Sequence, residues 1–122
     1  MNTETEFQHS KMVAILKKRP EVIKQELTTA KCDLMHMTFG ICGEAGELLD
    51  AVKKCIIYNQ PLDTANVIEE LGDIEFYIQG LLQILNLTRD EVLKQNLAKL
   101  SKRYEKLIYS DQAAQERKDK NA

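Results

Sequence analysis

Apolar residues recur at helical spacing along most of this chain. Between residues 34 and 55 they fall at three- and four-residue steps, at Leu34, Met37, Ile41, Ala45, Leu48, Val52 and Cys55. That period places them on one face of an α-helix. The same spacing returns at Val67, Leu71, Ile74, Ile78, Leu81, Leu82 and Leu85, and again at Leu93, Leu97, Leu100, Tyr104 and Leu107. No stretch alternates apolar and polar residues as a half-buried strand would. Four helices follow from the pattern and its punctuation. The first runs from about Thr5 to Lys18 and stops before Pro20. The second runs from about Thr28 to Tyr58 and ends in the turn-forming "YNQP", with Asn59 and Pro61. Asp63 or Thr64 caps a third helix that reaches about Asn86. Thr88 and Glu91 form a T-x-x-E capping box for a fourth, which reaches about Lys106. The fold class is all-α, a four-helix-bundle-like domain.

Composition narrows this further. The chain has 122 residues, 43% hydrophobic and 30% charged, enough for one domain with a modest core. Residues of about 28–108 form its core, and the charged stretch from about 110 to 122 is a tail that frays. Five glycines and two prolines favour long helices. The net charge of −2 lacks the basic bias of a nucleic-acid binder. Three cysteines, Cys32, Cys42 and Cys55, include no C-x-x-C pair, so they suit a reducing core better than a disulfide or zinc framework. The N-terminus is polar, and no apolar run approaches the ~20 residues of a membrane span. The expected location is the cytoplasm.

The stretch "GICGEAGELLD" changes the picture. It sets Gly40, Gly43 and Gly46 three residues apart beside Glu44 and Glu47, although a glycine inside a helix costs about 0.8–1 kcal/mol relative to alanine. Glu44 and Glu47 lie about 60° apart at the edge of the apolar stripe. Gly40, Gly43, Ala51 and Lys54 share their arc, so two glycines are expected to clear space for a ligand. Gly46 faces elsewhere and suits a close helix contact. The next helix repeats the layout with Glu70 and Asp73. The fourth places Asn96, Lys99 and Arg103 beside its stripe.

Four carboxylates from two helices form an oxygen-only ligand set. Such a set suits Mg²⁺, with Mn²⁺ as a second possibility, and Mg²⁺ polarises phosphoryl oxygens. Lys54, Lys99 and Arg103 would neutralise phosphate charge, and Asn96 would hydrogen-bond phosphate, sugar or base. Against this stands a plainer reading, because E-x-x-E and E-x-x-D are common on any solvated helix face. A di-iron bundle needs two E-x-x-H motifs, and this chain has one, Glu6 to His9. There is no nucleophile elbow and no P-loop.

"LMHMTFGICGEAGELLDAVKK" followed by "VIEELGDIEFYIQGLL" closely resembles the MazG-like nucleotide pyrophosphohydrolases, within the all-α NTP pyrophosphatase superfamily. Their bipartite signature is E-E-x-x-E, then E-x-x-D. Here Gly43-Glu44-Ala45-Gly46-Glu47 stands for the first part and Glu70-Leu71-Gly72-Asp73 for the second, with 22 residues between Glu47 and Glu70. "NLAKLSKRY" and "YSDQAAQERK" resemble the family's C-terminal elements. The resemblance covers about Leu34 to Arg117. Two positions depart from it: glycine opens the first motif, and "EKLIYS" replaces a proline–glycine turn after Tyr104. The resemblance implies one MazG-like domain that hydrolyses an NTP or dNTP to the monophosphate and pyrophosphate with Mg²⁺. It implies Glu44, Glu47, Glu70 and Asp73 as metal-binding and catalytic residues. It also implies assembly as a homodimer or homotetramer, with sites near the subunit interface. Two alternatives stay open: a catalytically silent nucleotide-binding protein, and a helical protein-interaction module.

Overall fold

The computed structural model describes residue 1 and residues 3–120, which are all-α, with no strand among them. They form two compact units, residues 1–33 and 34–122. The first unit carries α1 (Glu4–Leu16) and α2 (Pro20–Glu26). Thr3 and Glu6 build a capping box at the start of α1. Pro20 opens α2 at a position where its missing N–H is no loss. The sequence pattern does not foresee α2, because seven residues are too few to show a period. Lys18 and Glu26 form an ion pair across it. Phe7, Ile15 and Leu16 of this unit are exposed.

The long helix α3 (Thr29–Ile57) begins in the first unit and supplies most of its length to the second. It is followed by α4 (Thr64–Leu85) and α5 (Arg89–Arg103). The predicted boundaries of these three hold to within three residues. Asn59 takes a left-handed φ of 50° at the α3–α4 turn, a conformation that asparagine tolerates better than most residues. Asp63 caps α4 by accepting from the Asn66 N–H at 3.1 Å. Asn86, at φ 53°, closes α4. The Thr88–Glu91 capping box opens α5 as the sequence implies, and Arg89 bonds to Glu75, with Nη1 donating to Oε1 at 3.3 Å. That pair ties the start of α5 to α4.

Helices α3 and α4 run antiparallel in close contact. Gly80 meets Met37, and Gly40 meets Tyr77, so contacts climb one helix as they descend the other. The contacts fall on the border of the two faces, with Gly40 on the arc that carries the glutamates and Met37 on the apolar stripe beside it. Ala51, on that arc, is one of two buried hydrophobic residues among the described residues, with Leu82. Small residues on a helix face let another backbone or a ring come near, so Gly40 and Ala51 set the seam. Leu34, Met37, Ile41, Leu48, Val52 and Cys55 are half-buried, as are Val67, Ile74, Ile78 and Leu81.

Several residues expected in the core are not there. Ala45, Leu71 and Leu85 are exposed, and so are Leu93 and Leu97 on α5 and Leu107 beyond its end. Within one chain no element covers these positions, so their apolar period is not matched by burial. Cys32 and Cys42 are exposed rather than packed, and Cys55 is half-buried; all three are free thiols.

The tail is more ordered than its composition suggests. After α5 the chain reverses at Leu107, φ 54°. It then forms α6 (Asp111–Glu116), capped by Ser110. Arg117, at φ 50°, turns it into a 3₁₀ segment, Lys118–Lys120, that packs on α5. The last two positions of the predicted fraying tail, 121 and 122, lie outside the described residues.

Candidate metal centre

The first motif rides on α3 and the second on α4, and the antiparallel seam brings them together. Carboxylate oxygens of Glu44, Glu70 and Asp73 all lie within 4.8 Å of one another. Glu44 and Glu70 are half-buried and Asp73 is exposed. Glu47, one turn further along α3, is exposed and lies outside this tight group. Its charge still reaches Glu70.

Electrostatics mark Glu70 as the strained member. Its carboxyl is held above the usual range, first by burial and then by a hydrogen bond to Glu44, with the charges of Glu44, Glu47 and Asp73 adding to the effect. Carboxylates crowded this closely without a cation favour keeping one proton among them. A divalent cation would replace that proton and repay all the charges at once. The cluster offers oxygen alone, with no histidine or thiol, and that donor chemistry fits a hard ion of the Mg²⁺ or Mn²⁺ kind.

The three glycines have different roles. A Cβ on Gly40 would sit 2.2 Å from the Tyr77 ring, so Gly40 serves the helix seam and does not clear space for a ligand. A Cβ on Gly43 or Gly46 would meet nothing within 4 Å. Gly43 therefore leaves open space beside Glu44. The close contact expected at Gly46 does not occur among the described residues. His36 lies edge-on to Tyr77, centroids 6.1 Å apart, on the same side of the seam.

The four expected substrate residues are not gathered at the acids. Lys54 pairs with Asp50 at 3.3 Å, one turn away. Asn96 and Lys99 line a groove of about 620 Å³ between α5 and the terminal 3₁₀ segment, together with Lys102, Asp119 and Lys120. Arg103 is clasped by Asp119, with Nε donating to Oδ1 at 2.8 Å and Nη2 to Oδ2 at 3.2 Å. Its side chain is 17% exposed and that of Asp119 only 2%. The pair lowers the Asp119 carboxyl and raises the Arg103 guanidinium. Asp119 and Lys120 were not singled out by the sequence, where they look like two more charges in a polar tail. The one available signal was a short S-x-x-A cap at Ser110, which marks the tail as structured.

Comparison with known proteins assigns the chain to a family. The model of the MazG nucleotide pyrophosphohydrolase domain matches residues 34–108. The span holds both acidic motifs and all of α5. The "Gene 37 protein" of Mycobacterium phage L5 is 34% identical over 74 residues, covering 57% of this chain and 65% of that protein. The chain thus matches less than two thirds of that relative's length. No solved structure matches. With the family model spanning most of the chain and its two acidic motifs meeting at one seam, the protein belongs to the MazG nucleotide pyrophosphohydrolase family.

Proposed function

We propose that this protein is a Mg²⁺-dependent pyrophosphohydrolase that cleaves an NTP or dNTP to the monophosphate and pyrophosphate. The observation that carries this reading is the meeting of Glu44, Glu70 and Asp73 within 4.8 Å across α3 and α4, in a chain of this family. These three residues would hold the metal, with Glu47 beside them. A divalent cation held there would supply positive charge against the phosphoryl oxygens. Water cleaves the anhydride between the α- and β-phosphates, its oxygen going to one phosphorus and the bridging oxygen staying with the other, so that monophosphate and pyrophosphate form. One of the glutamates orients that water and accepts its proton. Asn96 and Lys99 contact the nucleotide from α5, and Lys54 offers a further cation. Arg103, clasped by Asp119, serves the phosphates indirectly.

The assembly we propose is a homodimer or homotetramer. Leu93 and Leu97 on α5 are 52% and 66% exposed, and Leu49, Ile56 and Ile68 also face solvent. A second copy would bury these leucines and bring α5 cations toward the acids. No described helix is long and apolar enough to cross a membrane, and three free thiols suit a reducing cytoplasm.

The deciding experiment is pyrophosphate release from the common NTPs and dNTPs, with Mg²⁺ and then with EDTA. Metal-dependent pyrophosphate is expected, and Glu70→Gln or Asp73→Asn should lower turnover by at least ~100-fold with helical circular dichroism retained. Turnover that survives both changes would refute the metal assignment. One observation favours a second reading, a nucleotide binder without turnover: Lys54, Asn96, Lys99 and Arg103 make no ion pair or hydrogen bond with the acids among the described residues. Nucleotide-dependent thermal stabilisation without product would support that reading.

A further inference from the structure

The chain continues past the end of the family match at residue 108 and folds back on α5 as a C-terminal strap. Little apolar contact holds it there. Of residues 109–120 only Ala113, Ala114 and Asp119 are not exposed. Among the described residues two ion pairs tie the strap to what precedes it: Asp119 with Arg103, and Lys118 with Glu105 at 3.3 Å. The second pair is exposed and contributes little, so the Asp119–Arg103 clasp is the main anchor. The hinge before it is unfavourable. Leu107 takes φ 54° while 77% exposed, a backbone conformation that a bulky side chain avoids, with little packing to offset it. Segments with few buried apolar contacts open locally more readily than the rest of a fold.

The clasp has the form of an anion site already filled. The Asp119 carboxylate accepts from Nε of Arg103 at 2.8 Å and from Nη2 at 3.2 Å. A guanidinium takes a phosphate by the same two-point contact. With the Asp119 side chain 2% exposed and that of Arg103 17%, no second anion reaches these donors while the strap is closed. Asp119 also lines the groove beside Asn96 and Lys99, so the strap narrows the approach to the residues assigned to the nucleotide.

We propose that the C-terminal strap is an autoinhibitory contact: Asp119 occupies Arg103 in place of a phosphate, and the phosphate chain of a nucleotide displaces it and opens the strap at Leu107. The indirect service of Arg103 to the phosphates belongs to the closed state, and opening frees its fork for direct contact. Exchange of one anion for another never leaves the guanidinium buried without a partner, which is the costly case. The released carboxylate returns to water. The proposal rests on the pyrophosphohydrolase reading for the identity of the displacing ligand, but the clasp and the hinge stand without it.

The test uses the full chain and inorganic tripolyphosphate, without metal and at fixed ionic strength. Amide hydrogen exchange across residues 111–120 of the wild-type protein should speed up by about tenfold or more when tripolyphosphate is saturating. Unchanged or slower exchange there would overturn the proposal. By calorimetry, Asp119→Asn should bind tripolyphosphate about tenfold tighter than wild type. Adding Asp119→Asn to Arg103→Ala should give no such gain, because the gain needs the freed guanidinium. In turnover, Asp119→Asn should lower KM for the nucleotide. Unchanged or weaker binding in Asp119→Asn would overturn the proposal as well, and a raised KM would make Asp119 a residue that holds the site together. Strap opening by tripolyphosphate without pyrophosphate release from any nucleotide would keep the strap and remove the enzyme reading. Pyrophosphate release with no strap opening would do the reverse.

Discussion

Glu70 shows most directly how a residue's surroundings become function. Its carboxyl is raised above 4.5 by burial, by its bond to Glu44 and by three neighbouring charges. The sign of the pH effect follows. An acid whose folded pKa exceeds its unfolded one binds more protons in the native state. The metal-free protein therefore carries a penalty above the raised value, and that penalty fades as pH falls through it toward 4.5. Metal binding has the opposite dependence, because ligands must be deprotonated. Melting curves should show Mg²⁺ stabilisation that is largest near about pH 7–8 and shrinks toward about pH 5. Glu70→Gln should raise the melting temperature of the metal-free protein and abolish the Mg²⁺ shift, since sites that crowd like charges give up stability for function. A variant that loses stability without metal would show that Glu70 is a structural residue.

At the scale of elements, the α3–α4 seam separates glycines that the sequence presents alike. Three glycines at equal spacing look equivalent when only the helical wheel is known. The seam makes Gly40 a packing position against Tyr77 and leaves Gly43 in open space. Gly40→Ala should cost about 1–3 kcal/mol, the range of overpacking, because the contact is with a ring held between helices. Gly43→Ala should gain about 0.5–1 kcal/mol from helix propensity alone. Thermal unfolding of the two variants checks both signs, and equal behaviour would contradict this seam. Gly80, facing the sulfur of Met37, should tolerate alanine better than Gly40, since a methionine side chain has room to rotate.

For the whole molecule, the apolar period on α5 was legible, but its burial was not. Leu93 and Leu97 keep helical spacing and yet face solvent. Periodicity tells which residues share a face, and it is silent on whether the covering surface belongs to the same chain. On the proposed assembly through α5, the wild-type protein should sediment as an oligomer and Leu97→Asp as a monomer, with association weakened by about 100-fold or more through a desolvated charge. Unchanged assembly would move the interface away from α5. Pyrophosphohydrolase turnover should fall with assembly if α5 of one copy serves the acids of another.

The sequence by itself determined the helical class, the extents of α3, α4 and α5, the α5 cap at Thr88, and both acidic motifs, while it left the α4 cap open between Asp63 and Thr64. These are local properties, fixed by period, by turn residues and by side chains that cap their own helix. It also carried the family resemblance, because the two motifs and their spacing are linear features. Tertiary structure decided the rest. It set the helix seam at the border of the glutamate arc and the apolar stripe, because the close approach of Gly40 to Tyr77 and of Gly80 to Met37 depends on two helices at once. It drew Glu44, Glu70 and Asp73 together and left Glu47 at the edge. It took Arg103 out of solvent and gave it to Asp119, a partner 16 residues away. No period or propensity encodes such a pairing, since it exists only after the chain has turned back on α5.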